Sequence, residues 1–168
     1  MRAIGASNYA DDRLREALKI SADNGLARYE TLQPEYNLYD RAGYESGLEQ
    51  VAVEHGLGVI NYYSLASGFL SGKYRSKEDA AKSARGQGVV EKYLNDRGLK
   101  IVNALVQIAD ARHASPAQVA LAWQIARPSV TAPIVSATSL TQVDELAKAA
   151  VLKLKDEDLR LLSEVSSY

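Results

Sequence analysis

The chain has 168 residues, of which 46% are hydrophobic, and its formal net charge is -1 at pH 7. That length allows one sizeable core, and the near-zero charge excludes a global electrostatic attraction to nucleic acid or to an anionic membrane. The absence of cysteine excludes disulfides and thiolate metal sites, and no apolar run approaches the roughly 20 residues that span a bilayer, so we expect a globular protein of the cytoplasm.

The first part of the chain alternates short apolar runs with amphipathic segments. Three strands are predicted here, at residues 2–8, 29–36 and 58–63. Two helices are predicted between them, at residues 11–23 and 44–55, because their apolar residues recur at helical spacing. Pro34 predicts the end of the second strand, since proline cannot donate to a ladder. The third strand opens with Val59 and Ile60, passes two tyrosines and enters a loop of small residues that ends at Gly72.

The second part of the chain begins with a charged segment at residues 73–92, which we expect to be an exposed, mobile excursion. One further strand is predicted at residues 130–135. Helices are predicted at residues 92–113, 115–127, 139–149 and 155–165. Ser115 and Pro116 indicate an N-cap followed by proline at the first helical position. We expect Trp123 to pack in the core, because it lies on an apolar helix face.

This alternation of strands and helices predicts parallel strands joined by right-handed crossovers. No G-x-G-x-x-G turn follows a strand, so the dinucleotide signature of a doubly wound sheet is absent. Polar side chains instead follow each predicted strand, at Ser7, Asn8, Gln33, Tyr62, Ser136 and Thr138. That distribution favours a β/α barrel, whose sites are built from the loops after the strands.

Five motifs of the sequence resemble the aldo-keto reductase family. They are IGASN at 4–8, LQPEYNLYDR at 32–41, YYSLASGFLSGKYR at 62–75, SPAQVALAWQIAR at 115–127 and PIVSATSLTQVDELAKA at 133–149. They occur in the family's order over almost the whole chain. The resemblance is to the C-terminal half of the family's barrel, strands five to eight. It implies a single domain over residues 1–168, which would be half of a (β/α)8 TIM barrel with four β/α units and extra C-terminal helices.

The resemblance implies a nicotinamide cofactor, NADP(H), held without a Rossmann motif. Ser7, Asn8 and Gln33 would hydrogen-bond the nicotinamide carboxamide, and Tyr62 would stack on the nicotinamide ring. An amide has donor and acceptor edges that Asn and Gln can match, and an aromatic side chain holds a ring flat with little entropy to lose. We expect Tyr63, the neighbour of Tyr62, to point the other way and pack in the core.

The resemblance also assigns the phosphate and adenosine contacts. Backbone amides from Leu65, Ser67 and Gly68 would approach the pyrophosphate. The remaining contacts come from the segment after the fourth strand: Ser136, Thr138 and Ser139 would cradle the 2′-phosphate, and Gln142 and Glu145 would complete the adenosine pocket. Hydroxyls and N–H groups at a helix N-terminus suit a phosphate. The loop SATSLTQ has no Lys or Arg, which leaves NAD(H) open, and Leu146 stands where the family often has Asn.

The family's catalytic Tyr, Lys, Asp and His come from strands two to four of its barrel, which would precede residue 1. The only two histidines, His55 and His113, lie late in predicted helices and match none of these positions. No catalytic residue and no metal site is therefore predicted, and we expect the isolated chain to bind cofactor at most.

Two alternatives stay open. The chain is an assembly module that pairs as a homodimer or with a complementary N-terminal half, or it is a regulatory domain that senses nicotinamide redox state without turnover.

Overall fold

Three short parallel strands form the centre of the fold in the computed structural model, which describes residues 1–168. The strands are β1 (Ile4–Ser7), β2 (Tyr29–Gln33) and β3 (Gly58–Val59), and they lie in the order β1-β2-β3. Ser7 lies opposite Gln33 in the first pair, and a parallel bridge between Glu35 and Tyr62 continues the second pair. Because all strands run the same way, their carboxyl ends meet at one edge.

The chain also forms eight α-helices. They are α1 (Asp11–Asp23), α2 (Ala42–Glu45), α3 (Leu48–Glu54), α4 (Gly86–Tyr93), α5 (Asp96–Arg112), α6 (Pro116–Ile125), α7 (Leu140–Ala149) and α8 (Asp156–Val165). Two 3-10 segments, Ala66–Ser71 and Lys77–Lys82, follow β3. None of the helices is both long and apolar enough to cross a membrane. The α/β class predicted from the sequence is confirmed.

The core lies between the outward face of the sheet and the helices. Ala6, Leu32 and Val59 alternate with polar or small residues along their strands and are buried, as the period of a strand requires. Trp123 on α6 is buried as predicted, and the guanidinium carbons of Arg41 and Arg127 lie 5.3 and 5.6 Å from the centroid of its ring. The other face of the sheet is open to solvent at Gly5 and Ser7 on β1.

Two predicted helices are each divided in the structure. The segment at 44–55 breaks at Gly47, where a Cβ would lie 2.6 Å from the carboxylate of Asp11, so any larger residue there would have to displace the Asp11 side chain at the start of α1. The segment at 92–113 breaks before Asn95, whose side chain accepts the N–H of Gly98 at 3.0 Å and caps α5. Local capping chemistry overrides the continuous helical period in the second case.

The fourth strand predicted at residues 130–135 is wrong. This segment runs beside β3, and the N–H groups of Thr131 and Ile134 donate to the carbonyls of Val59 and Asn61 at 2.8 Å each. The N–H of Val59 donates to the hydroxyl of Thr131 (3.0 Å) instead of to a main-chain carbonyl. Pro133 has no N–H and cannot donate a ladder hydrogen bond. The ladder is therefore interrupted, and the sheet has three regular strands; the fourth β/α unit lacks its strand.

The charged segment at residues 73–92 folds into a 3-10 segment and most of α4. Tyr74, Val89 and Val90 anchor it because their side chains are buried, while residues 75–78 and 81–85 are exposed. Its mobility stays a prediction.

Replacing Thr131 by valine tests the side chain that substitutes for a ladder bond. Thr131→Val keeps the shape but leaves the N–H of Val59 without its acceptor. We expect a loss of about 1–2 kcal/mol in the free energy of unfolding, measured by urea denaturation. Thr141→Val, at an exposed position of α7, is the matched control. Equal stability of the two variants would contradict the role given to the Thr131 hydroxyl.

The raised pKa of the buried Tyr44 predicts that the protein is less stable at alkaline pH. Burial raises the pKa of Tyr44 to about 12, although the side chain of Ser129 opposes the change; the Tyr44 hydroxyl donates to the carbonyl of Ser129 at 3.2 Å. The unfolded state ionises near pH 10 while the folded state keeps the proton, so the free energy of unfolding falls between about pH 10 and about pH 12. Tyr44→Phe is expected to reduce this slope, measured by urea denaturation at several pH values. An unchanged slope in the variant would refute the assignment.

Candidate functional site

Four of the predicted site residues meet at the carboxyl ends of the strands. The hydroxyl of Tyr62 donates to Oδ1 of Asn8 at 2.9 Å, and the hydroxyl of Ser7 donates to the main-chain carbonyl of Gln33 at 2.9 Å. Asn8 has φ 58°, a left-handed conformation that Asn adopts more readily than most residues. The Asn8 amide nitrogen and the Gln33 side chain have no protein partner, so both are free to bind a ligand.

The surroundings of Tyr62 favour its protonated phenol, the form that an ordinary tyrosine already has at neutral pH. Burial raises the pKa of Tyr62, and the carboxylate of Glu35 raises it further, while the ammonium of Lys92 opposes both. Lys92 lies 3.3 Å from oxygens of both Glu35 and Asp40, which offsets part of its influence. At neutral pH the hydroxyl is therefore a donor and the ring is uncharged.

The loop after β3 holds an unusual series of left-handed residues. Tyr63, Ala66, Ser67 and Gly68 have φ values of 52°, 48°, 54° and 93°. Such conformations cost free energy for residues other than glycine and concentrate at functional sites. The N–H groups of Leu65 and Ser67 have no acceptor within the protein. The loop thus presents unpaired backbone donors, which is what an anion requires.

A cleft of about 760 Å³ lies between this loop and the N-terminus of α7. The predicted residues that line it are Leu65, Ser67, Gly68, Ser136, Thr138, Gln142 and Glu145. Ser7, Asn8, Gln33 and Tyr62 do not line the cleft. The ring of Tyr62 packs edge-on against that of Tyr63, with 5.3 Å between centroids, and Tyr63 lines the cleft, so this ring contact connects the two groups of predicted residues.

The N-terminus of α7 forms the opposite wall. Ser139 does not line the cleft; it caps the helix, and its hydroxyl accepts the N–H of Gln142 at 3.3 Å. Oε1 of Gln142 accepts both the N–H and the hydroxyl of Thr138, at 2.7 and 3.1 Å. The N–H groups of Leu140 and Thr141 have no acceptor in the protein. These donors and the helix dipole favour a negatively charged ligand.

The cleft is also lined by two cationic side chains that were not predicted from the sequence. Lys73 and Arg85 are exposed and form no ion pair with any residue of the chain. Lys73 lies beside Gly68, where a Cβ would be 3.4 Å from its ammonium nitrogen. Lys73 lies in the family motif at residues 62–75, so the sequence could have identified it as a site residue. Arg85 lies in no motif, and only the folding of residues 73–92 brings it to the cleft.

The expectation that Tyr63 packs in the core is wrong. Its side chain is 50% exposed and lines the cleft, while the buried side chain that faces the helices is that of Asn61. The strand period ends early: regular pairing stops at Val59, and Tyr63 has already turned into the left-handed region. Alternation applies only while the chain stays extended.

Neither histidine belongs to this site. His55 and His113 are the C-cap residues of α3 and α5 and do not line the cleft. No group of three or more His, Asp or Glu side chains is arranged to hold a metal ion. A smaller cleft of about 290 Å³ near Asp40, Arg41 and Arg97 contains no predicted site residue.

Comparison with known proteins gives one family. The model of the aldo/keto reductase family matches residues 1–167. A probable voltage-gated potassium channel subunit beta from Oryza sativa subsp. japonica is 34% identical over 152 residues, which is 86% of this chain and 45% of that protein. An L-glyceraldehyde 3-phosphate reductase from Escherichia coli O157:H7 is 30% identical over 151 residues, 87% of this chain and 43% of that protein.

One of these two relatives is named a channel subunit and the other a reductase. The chain spans about half the length of the curated relatives it matches. The match over nearly all residues, together with the site at the carboxyl ends of parallel strands, identifies the chain as a member of the aldo/keto reductase family.

Proposed function

We propose that this chain is the C-terminal, cofactor-binding portion of an NADP(H)-dependent aldo-keto reductase that interconverts carbonyls and alcohols. The observation that carries the proposal is the cleft in which the unpaired N–H groups of Leu65 and Ser67 face the N-terminus of α7. A diphosphate with an aromatic amide at one end matches this distribution of donors. In this proposal the strands are part of a half-barrel, and the protein works in the cytoplasm.

The nicotinamide is assigned to the end of the cleft beside Tyr62. Asn8 and Gln33 offer free amide groups that can pair with a carboxamide. Tyr62 keeps Asn8 in place through its hydroxyl (2.9 Å) and offers a neutral ring for stacking. Ser7 supports the site indirectly, because its hydroxyl is donated to the carbonyl of Gln33.

The phosphates are assigned to the other end. The N–H groups of Leu65 and Ser67 point to a pyrophosphate site, and Lys73 and Arg85 supply the positive charge that the SATSLTQ loop lacks. Ser136, Thr138 and Ser139 remain the candidates for the 2′-phosphate, with Gln142 and Glu145 beside the adenosine. Guanidinium and ammonium groups bind phosphate oxygens strongly, which supports NADP(H) over NAD(H).

The isolated chain is proposed to bind cofactor without turnover. A bound nicotinamide supplies hydride chemistry, but the reaction also needs a proton donor at the substrate oxygen. No residue here matches the family's Tyr, Lys, Asp and His set, and the Tyr62 hydroxyl is bonded to Asn8. The channel-subunit relatives keep a second role open, in which cofactor is held as a redox sensor.

Cofactor titration of the purified chain tests the phosphate assignment. NADP⁺ is expected to bind more tightly than NAD⁺ by isothermal titration calorimetry, and more weakly at about 1 M than at about 0.1 M salt. Lys73→Met and Arg85→Met are each expected to weaken NADP⁺ binding about tenfold, since a hydrogen bond to a charged group contributes about 1.5–3 kcal/mol.

Lys100→Met is the matched control, because Lys100 is an exposed cation on α5 outside the cleft. No binding of either cofactor, or equal affinities in all variants, would refute the proposal. Steady NADPH consumption with 4-nitrobenzaldehyde would refute the absence of turnover. Cofactor that copurifies with the chain and is not consumed would favour the sensor role.

We also propose that two copies of the chain pair. Strand β1 is bonded only to β2, so its other edge carries unpaired backbone groups. Leu140 and Val143 stand on one face of α7 and are 84% and 52% exposed. An open edge and an apolar helix face both favour a partner, and a second copy would cover them.

Light scattering tests this pairing. We expect a mass of about twice 18.3 kDa, and Val143→Lys is expected to give monomers because it puts a charge on the apolar face. Val53→Lys is the control, since Val53 is exposed on α3 away from that face. A monodisperse wild-type monomer would exclude the homodimer, and a monomer that binds a separately expressed N-terminal half would identify the complementary half as the partner.

A further inference from the structure

Gln124 lies on α6, outside the cleft, yet its side chain holds the cleft loop. It is 0% exposed, and its Nε2 donates to the carbonyl of Ser64 at 2.8 Å and to the carbonyl of Ala120 at 3.0 Å. Its Oε1 accepts from Nδ2 of Asn61 at 2.7 Å. The side chain thus connects α6 to the loop and to the end of the third strand.

Only one orientation of the Gln124 amide fits these partners. A reversed amide would put Oε1 against two carbonyl oxygens and Nε2 against the Asn61 nitrogen. Asn61 cannot reverse in compensation, because its Nδ2 also donates to the carbonyl of Tyr36 at 2.7 Å. All of these groups are buried, where an unpaired donor or acceptor costs about 1–3 kcal/mol. The direction of the Gln124 amide is therefore determined by its surroundings.

That direction determines where the next peptide N–H points. In a planar trans peptide, the carbonyl of one residue and the N–H of the next point in opposite directions. The carbonyl of Ser64 points inward to Gln124, so the N–H of Leu65 points away from α6. Leu65 lines the cleft, and its N–H has no acceptor in the protein.

We infer that Gln124 is a positioning residue, which turns the Leu65 N–H into the cleft as a donor for a phosphate oxygen. This inference rests on the proposed cofactor site and adds a residue to it that touches no ligand. The peptide one residue earlier is held in the same way, because Nδ2 of the buried Asn37 donates to the carbonyl of Tyr63 at 3.0 Å. Two buried amides therefore keep this strained turn in one conformation.

Inorganic pyrophosphate and the variant Gln124→Met test the inference. Met keeps the volume but removes all three hydrogen bonds of the Gln124 side chain. In the wild type, ¹H–¹⁵N spectra are expected to show the Leu65 amide shifting as pyrophosphate is added. In Gln124→Met the Leu65 shift is expected to disappear and the affinity to fall about tenfold, the equivalent of one hydrogen bond to a charged group. The amides of Leu140 and Thr141, on the opposite wall, should still respond.

Ser163→Ala is the matched control. Trp123 is the neighbour of Gln124 in sequence, and its Nε1 donates to the Ser163 hydroxyl at 3.2 Å. Ser163→Ala removes this hydrogen bond and should leave the chemical-shift response of the Leu65 amide unchanged. A Leu65 response in Gln124→Met equal to that of the wild type would overturn the inference, as would an equal loss at all amides in both variants.

A crystal structure of ligand-free Gln124→Met separates this inference from the proposed function. A rotated Ser64–Leu65 peptide supports the positioning role even if the wild type binds neither pyrophosphate nor NADP⁺, a result that would refute only the cofactor site. An unrotated peptide overturns the positioning role whether or not the cofactor binds.

Discussion

Parallel pairing of three short strands is the constraint on which the rest of the structure depends. Because the strands run the same way, residues that are 26 or more positions apart in sequence, such as Ser7 and Gln33, come to lie side by side at one edge of the sheet. The bridge between Glu35 and Tyr62 continues that pairing beyond β2. Polar side chains that follow different strands therefore lie at the same end of the sheet, where folds with parallel strands place their sites.

The cleft is built from backbone groups as much as from side chains. Four residues of the loop after β3 adopt left-handed conformations, and buried amides from Asn37 and Gln124 hold the carbonyls of the same loop. Carbonyls directed inward leave N–H groups directed outward. The free energy that maintains this strained turn thus comes from the core, and the benefit is a set of donors ready for an anion.

Residues with local signals were predictable. Ser115, Pro116 and Ser139 start helices where predicted, because capping depends on neighbours in sequence. The sequence places polar residues such as Ser7 and Gln33 at the strand ends, which the structure confirms, because strand ends can be recognised from the sequence; their role in binding a cofactor stays a prediction. Tyr63 and the segment at residues 130–135 were predicted wrongly, since both depend on where extended pairing stops. The N–H of Val59 bonds to the hydroxyl of Thr131, so residues 130–135 form no regular ladder beside β3. Tyr63 leaves the extended conformation (φ 52°) directly after the Glu35–Tyr62 bridge.

The sequence by itself determined the alternation of strands and helices, the family and the side chains at the strand ends, because these depend on periodicity and on motifs within short windows. Only the tertiary structure decided that Arg85 reaches the cleft, that Tyr63 faces it, and that Gln124 directs a peptide 60 residues away in the chain. Those features depend on the packing of α6 and of residues 73–92 against the loop after β3. Contacts over such separations leave no periodic trace in the sequence.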